Sequence, residues 1–487
     1  MQKLFTHQQV GLYLGPLICI LFSLSANSQE FMPLLAWYTA GIGLWMAVWW
    51  ASEAIPVPAT AFIPLVTFAY FGISSFKETA SAFAHPIIFL FLGAFFIALA
   101  IERWHLHRRI ALKILSYTGT DGKRLIAGFM LTAAFLSMWI SNTSTTMMLL
   151  PICLSVAKVI VDSIEDIDEK IAKQFYIAIL LGLAYGATMG GLSTLIGTPP
   201  NALLAGFLKD NYAIEIDFLQ WMLIGLPVSL IMLPLGWFVL THVAFNISIK
   251  GGDSVHQYIK HEYKSLGPMS VAEKRVAIIF VLLVLGWVLR RPIASSFGIE
   301  GLSDSALAMT AALLLFIIPS GDKQQNKLIT WQESANLPWG VLILFGGGLA
   351  LASAVSSSGL AEWLGNSLQP LSAYSIILLL VCATVLVIFL TELTSNLATT
   401  ATFLPVVAAI ALSADISPLL MTVPVALAAS CAFMLPVATP PNAIVFSSGH
   451  LTIPDMIRCG IMLNIVATVL LSIIAIFLLP LVFNLSH

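Results

Sequence analysis

The segment WISNTSTTMMLLP occupies residues 139–151, and LTSNLATTATFLP occupies residues 393–405. Each sets a Ser-Asn pair, a Thr-Thr pair and a proline at the same relative positions inside a long apolar run. Unpartnered polar groups are costly in an apolar environment. Two such clusters in one register therefore call for a common structural cause.

The surroundings say what kind of environment that is. Of 487 residues, 59% are hydrophobic and 9% charged, with a mean hydropathy of +0.95. Such a chain cannot clothe itself in a polar surface, and it is read as an all-α polytopic membrane protein. At about 20 residues per crossing, its apolar runs predict about eleven transmembrane helices plus two re-entrant hairpins. The net charge of −2 provides no basic face for nucleic acid. The cysteines, Cys19, Cys153, Cys382, Cys431 and Cys459, are odd in number and lie in apolar runs, which argues against a disulfide framework. Lys3 and the apolar run at 11–24 resemble a signal peptide, but the dozen hydrophobic segments that follow favour a retained first helix within an N-terminal segment, 1–30.

Asn142 and Asn396 are 254 residues apart, and the same offset pairs Gly93 with Gly347, Ala98 with Ala352, Leu106 with Leu360, Thr145 with Thr399 and Pro151 with Pro405. The chain therefore reads as a duplication, with one copy in 31–247 and the other in 276–487, joined by a connection at 248–275. Charge distinguishes the copies. Residues 101–124 carry Arg103, Arg108, Arg109, Lys113, Lys123 and Arg124, whereas 355–378 contain no Lys or Arg. The positive-inside rule places the first flank in the cytoplasm and the second outside, and Lys250, Lys260, Lys264, Lys274 and Arg275 place the connection inside. Two copies in opposite orientations are a signature of secondary transporters.

Residues 125–161 and 374–413 are too long for one span and too short for two. Each is expected to be a re-entrant hairpin that turns at Ser-Asn, with Asn142 and Asn396 as N-caps of the second half-helices. The open N–H groups there favour an anion. A second duplicated element follows each hairpin: GTPPN at 197–201 and ATPPN at 438–442. The adjacent prolines are expected to unwind the helix there and free the carbonyls of Leu195, Ile196, Pro436 and Val437. Those oxygens, nearby hydroxyls and the asparagine amide are hard donors suited to an alkali cation.

With WWASEAIPVPATAFIP at 49–64, SNTSTT and SNLATT, and the TPPN pair, the chain resembles the divalent anion:sodium symporter family over nearly its whole length. The resemblance implies a homodimer with a scaffold and a moving transport domain, working as an elevator. It also implies residue roles. The first sodium site would use Ser137, Ser141, Asn142 and the carbonyl of Gly197, and the second Thr391, Thr394, Asn396 and the carbonyl of Ala438. Substrate would meet Ser141, Asn142, Thr143, Ser395 and Asn396, with Thr198, Pro199, Thr439 and Pro440 shaping the pocket. Leu397 departs from the pattern where the full SNT motif has threonine, which bears on which anion fits.

Other residues invite weighing. Glu392, deep in the second hairpin, has a cation or gating role or a structural salt bridge as alternatives. Glu53 serves the EAIP signature or anchors a helix end. The Arg and His of ERWHLHRR read as an interfacial amphipathic helix, and Gly182, Gly186 and Gly190 as a close-packing stripe.

The expected function is sodium-coupled symport of small dianionic carboxylates, of the succinate, malate and fumarate class, in a plasma membrane of bacterial inner-membrane type. Because no Lys or Arg lines the expected cavity, co-transported sodium would supply the compensating charge, with no organic cofactor and with membrane lipid as surroundings. The alternatives are a proton-coupled carrier or exchanger of the same fold, with Glu392 as its titratable group, or a tricarboxylate or sulfate carrier. The chain contains no His-Glu-x-x-His or Gly-x-Ser-x-Gly, and the HEYK at His261 falls in a polar loop, so it is not read as an enzyme.

Overall fold

The computed structural model describes residues 6–164, 167–249, 253–299, 301–322, 326–368, 370 and 374–483. Lys3 and Lys250, counted above, lie outside these. The described chain is helical, and its one β feature is an isolated bridge between Pro319 and Lys327. Among the described residues nine helices are long and apolar enough to cross a membrane, or ten if Val271–Val288 and Arg290–Phe297, bent by 75°, form one broken span. Shorter apolar helices at Val57–Tyr70, Asp304–Ile317, Ile376–Thr391 and Leu419–Ala429 accompany them. Leu131, Leu230, Leu282 and Ile465 are at least half exposed, as side chains facing lipid rather than water are.

The helix boundaries carry the sequence offset. Gly122–Ser137 and Ile376–Thr391 begin and end 254 residues apart, and Asn142–Asp162 and Asn396–Ser413 begin 254 apart. The short helices Leu106–Leu115 and Leu360–Leu368 precede them in the same register, and each is entered through a left-handed residue, His105 at φ 56° and Gly359 at φ 83°. A non-glycine residue is uncommon there, so the kink is a shared requirement of both copies.

Backbone contact fixes the next helix. A Cβ on Gly186 would lie 2.6 Å from the carbonyl oxygen of Met130, and one on Gly190 would lie 2.2 Å from that of Ala134. The glycine stripe of Glu169–Gly191 thus lies directly on the backbone of Gly122–Ser137, as small-residue stripes in membranes do. The basic ERWHLHRR flank is tied down by ion pairs. Arg109 reaches Glu273 at 2.9 Å and the Gly267 carbonyl oxygen at 2.9 Å, and Arg108 reaches Glu262 at 2.8 Å. At a second cluster Arg290 pairs with Asp217 and Asp304 at 3.3 and 3.0 Å.

Candidate functional site

Both Ser-Asn turns interrupt a helix, but the cap is one residue earlier than expected. Ser141 and Ser395 are the N-caps, and the second helices start with Asn142 and Asn396. The Ser141 hydroxyl accepts the Ser144 N–H at 3.1 Å. The asparagine side chains are engaged elsewhere, which leaves the capping position to the serine.

Their partners are hydroxyls from the preceding helix. Ser137 donates to Asn142 Oδ1 in the first copy, and Thr391 lies 2.8 Å from Asn396 Oδ1 in the second. Thr391 Oγ1 also lies 2.7 Å from the Ala429 carbonyl oxygen. Thr146 and Thr400 donate back to the carbonyls of Asn142 and Asn396 at 2.8 and 2.7 Å.

The TPPN segments also differ from expectation. The non-helical stretches are 192–198 and 430–439, and the prolines open the helices Pro199–Tyr212 and Pro440–Phe446 after Thr198 and Thr439 as N-caps. Unwinding at 197–201 and 438–442 is therefore corrected to breaks lying mostly upstream. At the first helical positions a proline's missing N–H costs nothing and its fixed φ favours the turn. The asparagine amides place their nitrogens on the chain: Asn201 Nδ2 donates to the carbonyls of Gly191 and Thr194, and Asn442 Nδ2 to those of Ala432 and Leu435, and each Oδ1 is left without a partner among the described residues.

These pieces converge on one another. A Cβ on Gly191 would lie 2.7 Å from Asn142 Oδ1 and 3.1 Å from the Gly197 carbonyl oxygen, and one on Gly197 would lie 2.4 Å from the Gly191 carbonyl oxygen. Ser137, Asn142, Gly191 and Gly197 therefore share one crowded oxygen-rich spot. Thr391, Asn396 and Ala429 form its counterpart. The two breaks meet across the centre, where the hydroxyls of Thr198 and Ser430 are 3.5 Å apart. The halves also interleave: Pro440–Phe446 packs on Asn142–Asp162 and Glu169–Gly191, while Pro199–Tyr212 packs on Asn396–Ser413 and Leu419–Ala429.

Several expected site residues take other partners. Thr394 bonds the Leu390 carbonyl at 3.0 Å and Thr399 at 2.6 Å rather than Asn396. Leu397 is 5% exposed, and Ala438, Thr198 and Thr439 are buried, whereas Thr143, Ser395 and Pro199 are half-buried and Pro440 is exposed. Gly191 and Ala429 were missed. The Gly-Gly at 190–191 is the only sequence signal for the first, and an alanine carbonyl leaves none for the second.

Glu392 is held by backbone N–H groups and an amide, and forms no salt bridge among the described residues. Its carboxylate, in a residue 3% exposed, accepts the N–H groups of Phe433, Met434 and Leu435 at 2.8–3.0 Å and the Asn464 amide at 2.8 Å. Three successive N–H groups form an anion-binding nest, filled here by the chain's own carboxylate. The first copy closes the corresponding gap differently: Thr194 donates to the carbonyl of Met138, which stands at the Glu392 position, at 2.6 Å.

Residues 130–150, 185–205, 385–405 and 425–445, which build this centre, contain no Lys or Arg. Paired helix breaks of this kind, with helix N-termini and unwound carbonyls gathered between two halves, are the construction of a secondary carrier. The chain belongs to the sodium:sulfate symporter family, whose transmembrane-region model matches residues 10–484. It is 40% identical over 484 residues to the sodium-dependent dicarboxylate transporter SdcS of Staphylococcus aureus strain MRSA252, covering 99% of this chain and 93% of that protein. It is also 40% identical over 478 residues to SdcS of Staphylococcus saprophyticus, covering 97% and 92%. A solved structure of MtrF from Neisseria gonorrhoeae, described with a class of antimetabolite efflux pumps, shares the fold with a TM-score of 0.55 at 12% identity, covering 84% of this chain and 85% of that one.

Proposed function

We propose that the chain is a sodium-coupled symporter that imports small dicarboxylates of the succinate, malate and fumarate class across a plasma membrane it crosses many times. The observation that carries this reading is the twin hydroxyl–asparagine pair, Ser137 with Asn142 and Thr391 with Asn396, each beside a helix break and without a cationic side chain. Amide and carbonyl oxygens suit a hard cation, and the partial charges of the helix N-termini suit a carboxylate. A dianion brought to such a centre needs bound cations for neutrality, which makes coupling a requirement of the chemistry. Sodium site one is assigned to Ser137, Ser141, Asn142 and Gly197, and site two to Thr391, Thr394, Asn396 and Ala438. The 40% identity to sodium-dependent dicarboxylate transporters supports both ligands.

The architecture proposed with it has two inverted repeats, 31–247 and 276–487, about eleven spans and two re-entrant hairpins, in a homodimer that works as an elevator. The constant helix offset and the one-sided charge of 101–124 support the inversion. The proton-coupled alternative would have to use Glu392, whose carboxylate accepts the N–H groups of Phe433, Met434 and Leu435 and the Asn464 amide, contacts that favour its charged form. Thermal shift of the purified protein with succinate, citrate or sulfate, with and without sodium, tests the proposal. Succinate should stabilise only when sodium is present. Stabilisation by succinate without sodium would refute it.

A further inference from the structure

The helix that follows each break carries, at its third position, an asparagine for which the sodium-site assignment has no use. Asn201 Nδ2 donates to the Gly191 carbonyl at 3.2 Å and the Thr194 carbonyl at 2.8 Å. Asn442 Nδ2 donates to the Ala432 carbonyl at 3.3 Å and the Leu435 carbonyl at 3.0 Å. The acceptors lie ten and seven residues before the asparagine in both copies. Both side chains are fully buried.

A helix that stops leaves its last carbonyls without intrahelical partners. In a dry break, with a cation nearby, any of these oxygens competes to become a ligand. Each asparagine occupies two of the oxygens there. Its two amide hydrogens go to the last helical carbonyl, that of Gly191, and to that of Thr194 within the break in the first copy, and to those of Ala432 and Leu435 within the break in the second. Thr194 and Leu435 also accept the N–H groups of Gly197 and Ala438 at 3.3 and 3.2 Å. Its own Oδ1 has no partner among the described residues, so the donors alone set the orientation of the amide. Turned over, the oxygen would face two carbonyls.

The link to the ion is Gly191. Its oxygen accepts from Asn201, and its Cα is so close to Asn142 and Gly197 that a Cβ there would lie 2.7 Å from Asn142 Oδ1. Releasing Gly191 therefore moves a wall of the first cation pocket. In the second copy Ala432 is the equivalent acceptor, and the next three residues donate their N–H groups to Glu392.

We infer that Asn201 and Asn442 are positioning residues for the two sodium sites: they do not touch the ion but claim the neighbouring carbonyls, leaving those of Gly197 and Ala438 to face it. The inference rests on the sodium-coupled reading proposed above. Partners of this kind, one step removed from a metal, change its affinity by roughly 10–100-fold when lost.

The test is sodium titration of the purified full-length protein by thermal shift without substrate, at constant ionic strength held with potassium. Succinate titration at saturating sodium runs in parallel. Asn201→Ala and Asn442→Ala should each raise the sodium midpoint by roughly 10-fold or more and leave the succinate midpoint at saturating sodium close to that of the unmutated protein. Asn201→Ser and Asn442→Ser, which restore one donor, should fall between and provide folded proteins if the alanine variants do not fold. Lowered melting temperatures with an unchanged sodium midpoint, in a background that responds to sodium, would overturn the inference and leave a purely structural role. No sodium response in the unmutated protein would instead remove the proposed function beneath it.

Discussion

Thr391 Oγ1 lies 2.8 Å from Asn396 Oδ1, the relation in which Ser137 stands to Asn142 at the other end of the 254-residue offset. Sodium and substrate are proposed to share each asparagine, so linkage requires their affinities to rise together. Thr391→Val removes a sodium-site hydroxyl and no substrate contact. Succinate binding should weaken at low sodium, by the roughly 1–3 kcal/mol of typical site-to-site coupling, and recover as sodium is raised. Asn396→Ala should not recover. Calorimetric or thermal-shift titrations at several sodium concentrations check both.

Topology is tested by labelling. Cys382 is the one exposed native cysteine, so Cys382→Ser gives a quiet background. In it Ser116→Cys should react only with cytoplasmic reagents and Asn366→Cys only with external ones. Labelling of both from one side would refute inversion.

Leu397 is buried just after the second Ser-Asn turn, where Thr143 is half-buried in the first. Leu397→Thr should shift the preference among succinate, citrate and sulfate while the protein remains folded. Competition uptake measures it, and unchanged relative affinities would place the residue outside the anion pocket.

For Glu392, replacement by glutamine keeps the shape but turns an NH2 group toward backbone N–H donors. Hydrogen bonds to a charged group are worth about 1.5–3 kcal/mol each, so Glu392→Gln should lower the melting temperature markedly. In the unmutated protein a proton gradient without sodium should drive no succinate uptake into vesicles. Proton-driven uptake abolished by this variant would restore the proton-coupled reading.

The sequence exposed what repeats locally. Two Ser-Asn clusters in register located the helix breaks, and the glycine stripe at 182–190 announced a backbone contact that the Ala134 carbonyl confirms. The N-cap was misplaced because serine and asparagine both cap well, and only the Ser137–Asn142 bond removes the asparagine from that role. The break before TPPN was misplaced because a proline pair looks the same whether it ends one helix or begins another. Glu392 was unreadable because three of its partners are backbone N–H groups more than forty residues away, which no side-chain pattern records, and the fourth, Asn464, is the single side-chain amide of a distant apolar helix.

The exchange of short helices between the halves also bears on how the protein is made. The groove between residues 142–162 and 169–191 is filled by Pro440–Phe446, so during synthesis it stays unfilled until the chain has grown by some two hundred and fifty further residues. Until then lipid, the insertion machinery or a chaperone must shield a polar notch in the bilayer. Neither half, expressed alone, can complete its own core. Co-expressed as separate polypeptides, the halves should each protect the other from degradation.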